Sequence, residues 1–185
     1  MKTIEQLEVI VEDLKRLAAG VQPSQFGDDT PCAKFAVRDL FGHMIGGAGL
    51  FAPQLRGAAP PELAPVDLDR EDLAQEMSAA LDDLLAAAKA PGAFDRTVML
   101  PFGQASGEVL VRFLTVDGMV HASDLARSTG QEYAPPEQLA GEVLATAQEL
   151  IRPEMRDGDT FAPETPVPYD ARNLPRLVAF TGREI

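Results

Sequence analysis

The chain carries two histidines and one cysteine in 185 residues, so a histidine-rich metal site must use both histidines or borrow carboxylates. His43 and His121 both fall in stretches with helical hydrophobic spacing. His43 follows Leu40 by three residues and precedes Gly47 by four, which sets it on or beside the apolar stripe of its helix. His121 follows Asp117 by four, and side chains at i and i+4 leave a helix in the same direction. Leu110, Phe113 and Leu114 share that face, so Asp117 and His121 look inward. An inward carboxylate is expensive unless it is paired, hydrogen-bonded or ligating. An Asp and a His from one helix with a His from another form a donor set that zinc, nickel, iron or copper accepts. Three protein ligands leave coordination positions open, as catalytic rather than structural sites do. The spacing leaves a second reading open, a metal-free Asp–His hydrogen bond, which is common.

Other reactive groups offer less. Cys32 stands in Thr30-Pro31-Cys32, in a loop, and no third histidine exists to serve it as a base. It is expected to be a small buried thiol. No G-x-S-x-G, phosphate-cradling loop or dinucleotide fingerprint occurs. Gly46-Gly47-Ala48-Gly49 lies mid-helix, where its amides are already used, and is rejected as an anion site. Arg38-Asp39 and Asp124…Arg127 read as helix-end charges and salt bridges, with an acidic ligand as the alternative partner.

Five helices position these groups. The first is expected over 4–19, with Thr3 as N-cap, Gln6 completing a capping box, and Leu7, Val11, Leu14 and Ala18 on one stripe. The second runs over 37–55. Its Gly42, Gly46, Gly47 and Gly49 each cost ~0.8–1 kcal/mol relative to Ala, which implies either a closely approaching neighbouring helix or a pocket. The third is expected over 69–90, ended by Pro91-Gly92. Thr97–Leu100 reads as a short strand turned by Pro101-Phe102-Gly103. The fourth helix spans 108–128 before Gly130, and the fifth starts at Pro136 as first helical residue and reaches Leu150. The tail from Pro153 reads as irregular, with a short apolar piece over 174–180. These amphipathic stretches predict an all-α helix bundle.

Composition narrows the function further. A formal net charge of −13 argues against nucleic acid and against anionic membranes. No run approaches the ~18–20 apolar residues of a membrane span, and the N-terminus lacks a signal-peptide pattern. A cytoplasmic protein is expected. One cysteine precludes an intramolecular disulfide framework.

Three segments carry a family resemblance. Thr30-Pro31-Cys32-Ala33-Lys34-Phe35-Ala36-Val37-Arg38-Asp39-Leu40-Phe41-Gly42-His43 is similar to the T-P-C-x-x-W-x-V-R-D-L-x-x-H segment of the DinB/YfiT-like superfamily. The likeness is to the branch related to the N-terminal domain of mycothiol-dependent maleylpyruvate isomerase. Asp117 to Gly130 resembles that branch's D-x-x-x-H-x-W-D-L-A-x-A-T-G segment. The ending, Phe161 to Pro168 with Leu177 to Arg183, resembles its F-G-P-x-V-P-V-P … L-x-A-x-x-G-R.

The resemblance implies a DinB-like four-helix bundle with an extra C-terminal helix and an irregular tail. It implies one domain over 1–185, with its core over about 1–152 and the tail over 153–185. It implies a divalent metal on His43, Asp117 and His121, zinc first, with nickel or iron as alternatives. Asp117 is a shorter arm than the glutamate of the isomerase, and Phe35 and Ser123 replace two family tryptophans. Phe35 should still pack, and Ser123 could open or reshape the pocket. It further implies a transferase or isomerase in which the metal activates an external thiol, such as mycothiol, toward a small electrophile, and it allows a homodimer. The alternative is a non-catalytic metal- or small-ligand-binding protein.

Overall fold

The computed structural model describes residues 1–156 and 161–185. It is an all-α bundle with one small hairpin. The elements are α1 (Thr3–Ala19), α2 (Val37–Leu55), α3 (Leu73–Ala88), β1 (Thr97–Leu100), β2 (Gly103–Ser106), α4 (Gly107–Thr129), α5 (Glu137–Leu150) and α6 (Asn173–Phe180). Helix α1 packs on α3 and α4, and α2 packs on α3. Helices α2 and α4 touch sparingly, which leaves a gap between them. Among the described residues, no helix is long and apolar enough to cross a membrane.

The stripes read from sequence form the core. Leu7, Ile10, Val11, Leu14 and Leu17 of α1 are buried with Leu40 and Phe41 of α2, Met77 and Leu81 of α3, and Leu110, Met119 and Leu125 of α4. Gly118 lets α4 close on α1, because a Cβ there would stand 2.8 Å from the Ile10 Cγ2. The hairpin pairs Thr97 with Ser106 and Leu100 with Gly103, and buried Gln54 ties it to α2 by accepting the Met99 N–H at 2.8 Å.

Several boundaries differ from expectation. Helix α1 is capped one residue early: Lys2 is the N-cap, and the Glu5 carboxylate, not Gln6, accepts the Lys2 backbone N–H at 3.0 Å. Helix α3 begins at Leu73 rather than 69, after turns at 68–69 and 71–72 whose Asp69 and Asp72 pair with Arg38 and Arg70. Pro136 is the N-cap of α5, not its first residue. The apolar piece at 174–180 is a helix. Its Pro175 is the third helical residue, within the first turn, where backbone N–H groups have no intrahelical partner.

Candidate metal centre

The gap between α2 and α4 holds the predicted triad. The ligand atoms of His43, Asp117 and His121 all lie within 4.8 Å of one another. Asp117 Oδ1 is 3.3 Å from His43 Nε2 and 3.4 Å from His121 Nε2. Metal bonds of ~2.1 Å at a tetrahedral angle separate ligand atoms by about 3.4 Å, so the carboxylate stands at coordination distance from both rings. The imidazoles meet edge to face, with centroids 4.8 Å apart. His121 is buried, while the His43 side chain is 37% exposed, so the cluster is closed on the α4 side and open on the α2 side.

Two local arrangements aim the α2 side. The Asp39 carboxylate accepts the Ala36 N–H at 2.9 Å and starts α2, which places His43 almost two turns in. Before it, the Thr30 hydroxyl donates to the Phe35 carbonyl at 2.7 Å and accepts the Cys32 N–H at 3.2 Å. This folded loop lays Phe35 against both imidazoles, 5.2 Å from His43 and 5.9 Å from His121. Phe35 therefore does pack. Ser123 is buried but is not among the residues lining the cavity.

On the α4 side a second layer was missed from sequence. Asp124 is 1% exposed, and its Oδ2 lies 3.1 Å from His121 Nδ1. Arg183 Nε donates to both Asp124 oxygens, at 3.0 and 2.9 Å, and Arg183 Nη1 donates to the Thr181 hydroxyl at 3.3 Å. The expected salt bridge from Asp124 to Arg127 does not form, and Arg127 instead donates to the Glu184 carbonyl. The signal was present in spacing: 117, 121 and 124 are i, i+4 and i+7 on one helical face. Asp124 behind Nδ1 aims His121 Nε2 at Asp117 and His43, the arrangement that metal-binding histidines use.

Electrostatics agree with a cation site. Burial opposes charge on His121, yet Asp117 and Asp124 flanking the ring push its pKa up to about 9. Burial likewise opposes the Asp117 carboxylate, but His43 and His121 hold its pKa well below the ordinary value. A proton on His121 thus supplies positive charge where a metal ion would.

The triad opens into a cavity of about 330 Å³ bounded by α2, the hairpin, α4 and Phe161. Of the two expected causes, a pocket fits Gly47, while among the described residues a neighbouring helix presses on none of the four. Gly47 lines the cavity with open space at its Cβ position, whereas Gly42 is pressed by Leu68, 2.8 Å from a Cβ there. Cys32 is half-buried on the cavity wall rather than fully enclosed.

A metal-ligand-like cluster in a helix bundle defines the class, and comparison with known proteins gives the family. The sequence model of the mycothiol maleylpyruvate isomerase N-terminal domain matches residues 7–126, and the chain belongs to that family. An uncharacterized protein of Mycobacterium tuberculosis, Rv0738 in strain H37Rv and MT0763 in strain CDC 1551 / Oshkosh, is 36% identical over 170 residues. The match covers 91% of either chain. Among solved structures, the mycothiol-dependent maleylpyruvate isomerase and a histidine-to-alanine mutant of it match with a TM-score of 0.62 at 14% identity. They cover 78% of this chain and 67% of that one, a likeness of fold.

Proposed function

We propose that His43, Asp117 and His121 bind a divalent metal ion, zinc first, and that the protein is a thiol-dependent transferase or isomerase. The observation that supports this most is Asp117 Oδ1 set 3.3 and 3.4 Å from two imidazole Nε2 atoms, with the second histidine oriented by a buried carboxylate. Bound there, the ion would supply a Lewis acid with an open position at which an external thiol, such as mycothiol, loses its proton. The chain's own residues do the rest. Asp124 keeps the His121 proton on Nδ1, and Phe35 covers one flank of the two rings. Arg183 belongs to residues 153–185, so we take the tail and the bundle as one functional unit. The mycothiol-dependent activity named for the structural neighbour supports the thiol by analogy of family.

Metal content of the purified protein tests the first part. Wild type is expected to retain about one divalent ion per chain, and His43→Ala and His121→Ala are expected to lose it. Equal retention by the variants, while folded, refutes the site. Conjugation of mycothiol to monochlorobimane, above a metal-free control, tests the second part.

A further inference from the structure

The wall of the cavity beside the triad is built almost wholly of apolar groups. Phe51 of α2, Phe102 of the hairpin, Phe113 of α4 and Phe161 face it, with Met44 and Leu114 between them. Phe102, Phe113 and Phe161 form a chain of rings with centroids 5.3 and 6.1 Å apart. The charged side chains on the wall, besides the triad, are Lys34 and Arg183. Lys34 is exposed, where water and salt screen its field. The Arg183 side chain is 10% exposed and is directed to Asp124 and Thr181. A dicarboxylate such as maleylpyruvate needs paired cationic donors to replace its hydration. Here one carboxylate could reach the triad and its metal, but the other would face phenyl rings with, among the described residues, no cation free to replace its water.

We propose that this cavity takes a compact molecule with an uncharged, apolar body, seated beside the triad between α2 and α4, and that it prefers such a molecule to a dicarboxylate. Its ~330 Å³ lies at the small end of ligand sites. The proposal rests on the thiol-dependent reading only in taking the apolar body as that of the electrophile which the thiol meets. Gly47 marks the floor where the backbone yields space to it.

Protein labelled with ¹³C at methionine methyls and loaded with Co(II) tests this with two matched pairs: benzyl mercaptan against mercaptosuccinate, and toluene against succinate. Met44 lines the cavity and buried Met77 does not. Toluene and benzyl mercaptan are expected to shift Met44 and leave Met77 unmoved, binding at least ~30-fold more tightly than their dicarboxylate counterparts. Gly47→Leu, whose side chain enters open space, is expected to weaken both apolar probes tenfold or more while retaining cobalt. An unmoved Met44, or dicarboxylates binding as tightly as apolar probes, overturns the proposal. Absence of a sulfur-to-cobalt absorption band with both thiols, while toluene still shifts Met44, counts against thiol coordination and leaves the apolar pocket standing.

Discussion

Asp124→Asn isolates what the buried carboxylate does behind His121. The substitution keeps shape, and the amide oxygen can still accept the His121 Nδ1–H. Two things are lost. The imidazole no longer leans on a full negative charge, and Arg183 loses the carboxylate that both of its contacts at 2.9 and 3.0 Å address. Removing an outer-shell partner of a ligating histidine typically weakens metal affinity ~10–100-fold, about 1.4–2.7 kcal/mol. Leaving one member of a buried pair uncompensated costs on the order of 3 kcal/mol. Asp124 is 1% and the Arg183 side chain 10% exposed, so solvent screens the pair little. For a chain of this length that lowers Tm by about 6–12 °C. Zinc affinity is read by competition with a fluorescent chelator at pH 7, on protein shown by circular dichroism to be folded. A folded Asp124→Asn protein that binds zinc within about twofold of wild type refutes the reasoning, because His121 would then need no carboxylate behind it.

Other expectations follow from single contacts. Gly182→Ala should weaken zinc binding in the same direction, since Gly182 has φ +90° and a Cβ there would stand 2.5 Å from the Ala162 Cβ, displacing the adjoining Arg183; the chelator competition reads it. In the metal-free protein, His121 has a pKa raised to about 9. Its contribution to stability is therefore whole below pH ~6.5 and is lost as pH rises through about 9. Urea unfolding across pH 6–10 should show stability falling over that window, with a shallower fall in Asp117→Asn. Gln54→Leu should cost about 1–3 kcal/mol by leaving the Met99 N–H unpaired, with faster hydrogen exchange at that amide.

What the sequence could and could not reveal follows from the range of each interaction. The triad was legible because two of its members lie on one helix at i and i+4, and the third lies on an apolar stripe. The 37–55 bounds of α2 were legible because its helical spacing lies between a loop broken by Pro23, Gly27 and Pro31 and a Gly-, Ala- and Pro-rich connection. The pairing of Asp124 with Arg183 was not, since 59 residues separate them and Arg127 offered a nearer cation at i+3. Helix α6 was obscured by prolines at 163, 166 and 168 before it and by Pro175 within it. The fate of the α2 glycines depended on which neighbours arrived, Leu68 at Gly42 and empty space at Gly47, and periodicity carries no information on either.

The match to the family model ends at residue 126, after the triad and Asp124 but before the tail. Yet the group that neutralises Asp124 comes from Arg183, and one wall of the cavity comes from Phe161. The tail reaches these positions through its own bonds. Thr165 N–H donates to the Ala179 carbonyl at 3.0 Å, and its hydroxyl donates to the Arg183 carbonyl at 2.6 Å. Arg156 reaches the Ala162 and Phe180 carbonyls at 2.8 and 2.9 Å. Asp124 is fully enclosed, and a buried charge without its partner destabilises the fold around it. Docking of the tail and orientation of His121 are therefore expected to act as one event. Substitutions at Arg183, Gly182 or Arg156, none of them in the triad, should act on zinc affinity through that event.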